Sequence, residues 1–204
     1  MPTLVLVSDT HGRHRDLIVP DGDVFIHAGD MTMFAGELDV LVDFNDYLET
    51  LPHAHKIVVA GNHDFCFERD NARSRALLTN ATYLEDDAIT IDGVTYYGSP
   101  WQPEFLNWAF NLERGKALRE KWSMVPDHTD VLITHCPPAG ILDETIGGER
   151  VGCEDLLARV RVVRPKLHVF GHIHEARGMV EIDGTKFVNA ATAFRSCEPF
   201  VVEM

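Results

Sequence analysis

The chain reads as an α/β protein in which mixed β-sheets are enclosed by helices. Three observations predict this: short continuous apolar runs of strand length, amphipathic stretches between them, and Asp-Gly turns joining β-like segments.

The apolar runs are Leu4–Val7, Val24–Ile26, Ile57–Val59, Val131–Ile133 and Leu167–Phe170. They are rich in β-branched residues and do not alternate with polar ones, as in strands buried on both faces. Between them, Glu37–Leu51 sets Leu38, Leu41, Val42 and Leu48 near helical spacing. Ala72–Leu78, Leu112–Trp122 and Cys153–Val163 are further predicted helices. Asp92-Gly93 and Asp183-Gly184 predict the hairpins Ala88–Ile91/Val94–Tyr97 and Met179–Ile182/Thr185–Val188.

With 204 residues, no internal repeat and no linker-like stretch, one domain over 1–204 is expected. No apolar run approaches the ~20 residues of a membrane helix. The opening Met1–Val7 is too short and lacks the basic residues of a signal peptide, so it reads as a strand in a cytoplasmic protein. Cys66, Cys136, Cys153 and Cys197 are scattered, which predicts reduced thiols and no thiolate zinc site. A net charge of −14 argues against duplex nucleic acid as a partner. A small anionic substrate is compatible with it if the site brings its own positive charge.

Each of the five runs ends in Asp, Asn or His. They lead into Ser8-Asp9-Thr10-His11-Gly12, His27-Ala28-Gly29-Asp30, Ala60-Gly61-Asn62-His63-Asp64, Thr134-His135-Cys136 and Gly171-His172-Ile173-His174. Ligands of α/β proteins sit at the carboxyl ends of strands, so parallel neighbours would bring these tips to one crevice. Oxygen and imidazole donors without thiolate suit divalent manganese, iron, zinc, cobalt or nickel. Gly29, Gly61 and Gly171 each precede a ligand-type residue, where a missing Cβ permits close approach. Asp9 and His11 are two apart, and an extended backbone would turn both to one side; the same holds for His172 and His174. Two divalent ions against Asp9, Asp30 and a bridging hydroxide leave the crevice net positive.

The ordered series Asp9-x-His11, Gly29-Asp30, Gly61-Asn62-His63-Asp64, His135 and Gly171-His172-x-His174 resembles the calcineurin-like metallophosphoesterase superfamily. The stretch Gly98–Phe105 with Trp108–Gly115, together with His135-Cys136-Pro137-Pro138 and Gly171–Glu175, resembles one branch of it, the metallophosphoesterase domain-containing proteins. That branch includes enzymes acting on cyclic nucleotide phosphodiesters.

The resemblance implies a four-layer α/β/β/α sandwich of two mixed sheets. It implies two divalent ions, manganese first among them and magnesium also admissible. Asp9, His11 and His174 would bind one ion, and Asn62, His135 and His172 the other, with Asp30 bridging. A metal-bridging hydroxide would attack a phosphodiester such as a cyclic nucleotide in line, with Asn62 helping to stabilise charge on the equatorial oxygens. His63 would protonate the leaving oxygen, oriented by Asp64. The alternatives are a phosphomonoesterase or dinucleotide pyrophosphatase with the same metals, and a non-catalytic scaffold such as the retromer subunit of this superfamily.

Other residues read blandly. His27, His53, His55, His128 and His168 are expected to be structural, Arg13 and His14 surface-solvated, Arg195 a surface ion pair, and Glu85-Asp86-Asp87 a solvated turn. Trp101, Phe105, Trp108 and Phe110 could line a base-binding wall, form a dimer face or close a hydrophobic lid over the sheet, the lid being preferred.

Overall fold

The computed structural model describes residues 2–33, 38–192 and 198–204. Glu37, at the start of the first predicted helix, lies outside these, as do Arg195 and Cys197.

Along the chain the strands are β1 (Thr3–Val7), β2 (Val24–Ala28), β3 (His55–Val59), β4 (Thr82–Tyr83), β5 (Asp87–Ile91), β6 (Val94–Ser99), β7 (Gln102–Pro103), β8 (Asn111–Leu112), β9 (Val131–Thr134), β10 (Leu167–Phe170), β11 (Gly178–Ile182), β12 (Thr185–Asn189) and β13 (Phe200–Glu203). The helices are α1 (Leu38–Thr50), α2 (Phe65–Arg69), α3 (Asn71–Leu77), α4 (Lys116–Trp122) and α5 (Glu154–Val163). One sheet has the order β13-β1-β2-β3-β4 and the other β11-β12-β10-β9-β6-β5. Both are mixed: β1, β2, β3 and β4 run parallel and β13 opposes β1, while β6, β9, β10 and β12 run parallel between two antiparallel edges.

Alternation along each strand builds three apolar layers. Leu4, Leu6, Ile26, Ile57 and Val59 of the first sheet face Val131, Ile133, Leu167, Val169 and Val188 of the second. Val5, Val7, Phe25 and Val58 pack under Leu41, Phe44 and Leu48 of α1 and Phe67 of α2. Leu132, Phe170 and Phe187 pack under Leu118 and Trp122 of α4 and Leu156 and Val160 of α5. Apolar residues at successive positions therefore serve different layers, which is why the runs do not alternate. The result is the four-layer α/β/β/α sandwich.

Several local expectations are corrected. The helix predicted over Leu112–Trp122 begins only at Lys116, because Gly115 takes φ +92° and Leu112 pairs in β8. Cys153 is not a helical residue but the cap of α5, its Sγ accepting from the Leu156 amide at 3.4 Å. Asp86 is no solvated turn: its carboxylate accepts from Ser99 Oγ (2.8 Å), Trp101 Nε1 (2.9 Å) and Lys121 Nζ (2.6 Å).

Candidate metal centre

The five strand tips do converge, but from two sheets. Asp9, Asp30 and Asn62 follow β1, β2 and β3, whereas His135 and His172 follow β9 and β10. Hydrogen bonds lace the rims together. Ser8 N donates to Ala190 O (3.0 Å), Asp9 N to Gly29 O (2.9 Å) and Gly171 N to His135 O (3.0 Å). The His172 amide donates to Asp9 Oδ2 at 3.0 Å.

The backbone is not extended where the pairs Asp9/His11 and His172/His174 present their side chains, contrary to the expectation from their spacing. Asp9, His11, Asp30 and His172 have φ of 57°, 46°, 57° and 69°. This left-handed region is rarely used by residues other than glycine, and such strain gathers at functional sites. His174 opens a short 3-10 turn. Glycines make the remaining room: a Cβ on Gly171 would collide with the Asp9 carboxylate and Ser8 Oγ, and one on Gly29 with the His135 ring.

Two groups of donors result. In the first, His174 Nε2 lies 3.2 Å from Asp9 Oδ1 and 3.3 Å from His11 Nε2. In the second, Asn62 Oδ1 lies 2.8 Å from His135 Nε2 and 2.7 Å from His172 Nδ1. Asp30 Oδ2 stands between them, 3.9 Å from His11 Nε2 and 3.3 Å from His135 Nε2. Carbonyls orient two of the rings. His135 Nδ1 donates to Ala28 O at 2.9 Å, and His11 Nδ1 faces Thr32 O at 3.2 Å, so each turns Nε2 inward.

The His135 geometry has a chemical consequence. Its Nε2 faces two acceptors, Asn62 Oδ1 and Asp30 Oδ2, while its Nδ1 proton is spent on Ala28. Positive charge, as a second ring proton or a cation, satisfies that arrangement. Burial disfavours the charged ring, but the Asp30 carboxylate overrides it and moves the His135 pKa up to about 9. Burial would raise the Asp9 carboxyl, but the hydrogen bond from His174 and the surrounding histidines hold it well below the usual carboxylate range. Burial brings His172 down to about 4. Asp9 and Asp30 are 0% and 2% exposed, and their ion-pair partners among the described residues are histidines alone. Two buried carboxylates facing imidazoles suit divalent cations.

His63 stands at the mouth. Its amide donates to Asp30 Oδ1 (2.8 Å), its Nδ1 meets Met33 O (2.7 Å), and its Nε2 lies 3.9 Å from Asp30 Oδ2. The Asp64 carboxylate, expected to orient His63, instead accepts from the amides of Gly61 (2.7 Å), Asp30 (2.8 Å) and Thr32 (2.9 Å) and from Thr32 Oγ1 (3.0 Å). The Met33 carbonyl, which no motif could reveal, is what meets the ring. Burial, with the Asp30 charge, raises the Asp64 pKa to about 6.

The other singled-out residues fall elsewhere. His27 and His168 are buried beneath the helices, bonded to Thr10 Oγ1 and Thr134 Oγ1, both at 2.9 Å. His53 is buried, while His55 and His128 are exposed. His14 is not solvated but buried, with Nε2 2.8 Å from Asp43; Arg13 is exposed and pairs with Asp16. The aromatic stretch divides. Trp101 and Phe110 pack inward, edge to face at 5.6 Å, whereas Trp108 stands 5.0 Å from the His63 ring with Phe105 beside it. No helix is long and apolar enough to cross a membrane among the described residues.

The chain is similar to several known proteins. A family model described as calcineurin-like phosphoesterase matches residues 2–176. The human protein called metallophosphoesterase domain-containing protein 1 is 43% identical over 220 residues, covering 96% of this chain and 67% of its own. A UPF0046 protein of Caenorhabditis elegans is 44% identical over 202 residues, covering 92% of this chain and 69% of its own. One solved crystal structure superposes with a TM-score of 0.71 at 16% identity, covering 93% of this chain and 90% of that one.

Proposed function

Since the chain belongs to the calcineurin-like phosphoesterase family, we propose that it is a dinuclear metal-dependent phosphodiesterase, with cyclic nucleotides as the leading substrate class. The supporting observation is the pair of donor groups sharing Asp30, above all His135 Nε2 set against two acceptors.

In this reading Asp9, His11 and His174 would hold one divalent ion, Asn62, His135 and His172 the other, and Asp30 would serve both. Manganese is the first candidate, and the oxygen and imidazole donors leave iron, zinc, cobalt, nickel and magnesium as competitors. When bound, the ions supply Lewis-acid charge and an activated water. The chain's own residues do the rest. Carbonyls of Ala28 and Thr32 fix the His135 and His11 rings. Asn62 helps to bind the phosphoryl oxygens. The attacking oxygen would enter as hydroxide, its other proton having passed to solvent, and would bond to phosphorus as the bond from phosphorus to the leaving oxygen breaks. His63 donates the proton that the leaving oxygen gains, held in place by Met33 O. Asp64 supports the loops from behind. A cytoplasmic setting agrees with the three buried free thiols Cys66, Cys136 and Cys153.

The test is hydrolysis of bis-p-nitrophenyl phosphate by the manganese-loaded protein, beside a monoester and a dinucleotide pyrophosphate. Diester turnover that vanishes in Asp30→Asn and His135→Ala is expected. Equal or better monoester turnover would replace the diesterase reading, and activity surviving both substitutions would remove the metal mechanism.

A further inference from the structure

Beside the donor groups lies a cavity of about 270 Å³, lined among others by Phe105, Trp108, Arg114, Glu149, Val151 and His172. It adjoins the donor groups through His172, which lines it, and Trp108 lies 5.0 Å from the His63 ring and 6.3 Å from the His172 ring. Phe105 meets Trp108 edge to face at 5.3 Å. The two aromatics thus form a corner whose inner edge, Trp108, stands against the His63 and His172 rings.

The loop carrying that corner is tied down at several points. The Ala109 amide donates to Asn62 O at 3.1 Å, which fixes Trp108 against the loop of a metal-ligand residue. The Phe110 amide donates to Glu68 at 2.7 Å. The Asn111 side-chain amide donates to the carbonyls of Phe105 (3.2 Å) and Leu106 (3.0 Å), closing the loop on itself. A preorganised aromatic face binds a flat ring without first being ordered.

The charge pattern narrows what can enter. Arg114 is committed elsewhere: its guanidinium donates to Gly152 O (2.9 Å), Val151 O (2.8 Å) and the Glu154 carboxylate (2.5 Å). The other ionised side chains of the lining are Glu104 and Glu149, both exposed. Carboxylates at the rim repel any second anionic group, whereas an uncharged ring stacks on Trp108 whatever its edge chemistry. The volume lies just under the ~300–1,000 Å³ of sites for drug-sized ligands, so it admits one ring system.

Resting on the phosphoesterase reading above, we propose that the Trp108–Phe105 corner is the subsite for an uncharged aromatic group of the substrate, of aryl or nucleoside-base type. The ester then presents its single phosphoryl group to the metal ligands while its ring lies against Trp108.

Calorimetric titration of the manganese-loaded protein separates this from the reading it rests on. Phenyl phosphate is expected to bind about ten-fold tighter than methyl phosphate, an advantage within the range of one stacking contact. Trp108→Leu should bring the two within about two-fold of each other, and Phe105→Ala, at a 56% exposed position where folding is not at stake, should narrow the gap. 4-Carboxyphenyl phosphate should bind more weakly than phenyl phosphate, and the Glu104→Gln/Glu149→Gln double variant should recover it. Equal affinity of phenyl and methyl phosphate in the unsubstituted protein, or a preference surviving both Trp108→Leu and Phe105→Ala, overturns the subsite while leaving phosphate binding intact. If neither phosphate ester nor inorganic phosphate binds and no diester is hydrolysed, the phosphoesterase reading falls first and the subsite with it.

Discussion

Asp64 Oδ2 accepts a hydrogen bond from the backbone nitrogen of Asp30 at 2.8 Å. The same oxygen accepts from Gly61 N at 2.7 Å, so one buried carboxylate ties the loop after β2 to the loop after β3. Asp64→Asn puts an amide where only acceptors fit the surrounding N–H groups. Losing a supporting bond behind a metal ligand typically costs about 10–100-fold in metal affinity, and an unsatisfied buried amide about 1–3 kcal/mol of stability. Manganese titration and urea denaturation of the variant should show both losses. An unchanged manganese affinity would mean that Asp64 does not position Asp30.

Metal binding should also be visible as stability and as protons. Asp9 and Asp30 are buried among imidazoles, an arrangement that the unfolded chain cannot reproduce. A ligand held at 100 times its dissociation constant adds about 2.7 kcal/mol, and at this length each kcal/mol moves the Tm by about 2–4 °C. Chelation should therefore lower the Tm by roughly 5–10 °C, and Asp30→Asn should abolish the difference. His135, raised to about 9 chiefly by Asp30 against the effect of burial, holds its extra proton at neutrality and must release it to a metal. Manganese affinity should accordingly rise from neutral pH to about 9 and level off above it. Calorimetry in buffers of different ionisation enthalpy reads the released proton; no release at pH 7 would contradict this assignment.

The layers were legible in the sequence because burial on both faces leaves a direct trace. Leu4–Val7 can be wholly apolar only if Leu4 and Leu6 meet one layer and Val5 and Val7 another. The donor residues were legible for a related reason, since each follows such a run. Their backbone geometry was not. Spacing rules assume an extended chain, whereas Asp9 and His11 sit in left-handed turns stabilised by amide bonds to Gly29 O and Asp30 O. The partner of His63 was hidden because it is a backbone carbonyl, and every residue carries one. Asp86 was misjudged because three neighbouring charges in a row look like surface, yet its partners come from 13, 15 and 35 residues away. Long-range pairing of that kind leaves no local pattern.

Close approach, not turn geometry, is what Gly171 supplies. A Cβ there would strike the Asp9 carboxylate and Ser8 Oγ, and both are anchored: Asp9 by the His172 amide, Ser8 by Ala28 O at 3.0 Å. Asp9 cannot swing aside without releasing the β1–β10 junction, nor Ser8 Oγ without giving up its bond to the end of β2. Gly171→Ala should push Asp9 out of place, and displacements of about 1 Å can cost on the order of 10²-fold in turnover. Diester hydrolysis should fall by that factor, with a parallel loss of manganese affinity. A Gly171→Ala protein with unaltered turnover would show that the junction relaxes freely.

Acid sensitivity should trace to a histidine outside the metal centre. His168 lies wholly buried in β10, its Nε2 2.9 Å from Thr134 Oγ1, with Phe170 and Phe187 packed around it. Burial lowers its pKa from 6.5 to about 3. A histidine whose folded pKa is depressed binds its proton more readily in the unfolded chain. Its contribution is thus fully present above about 6.5 and is lost as pH falls from there towards 3. That loss amounts to about 5 kcal/mol at most, because a tenfold difference in proton affinity between the folded and unfolded chain is worth about 1.4 kcal/mol. His168→Gln keeps a polar group for Thr134 but cannot take up a proton. Denaturation with chelator present, so that metal release does not enter, should give the variant a flatter stability curve between pH 6.5 and pH 4 than the unsubstituted protein. Parallel curves would place the acid sensitivity elsewhere, with His27, lowered to about 3 by burial, the next residue to substitute.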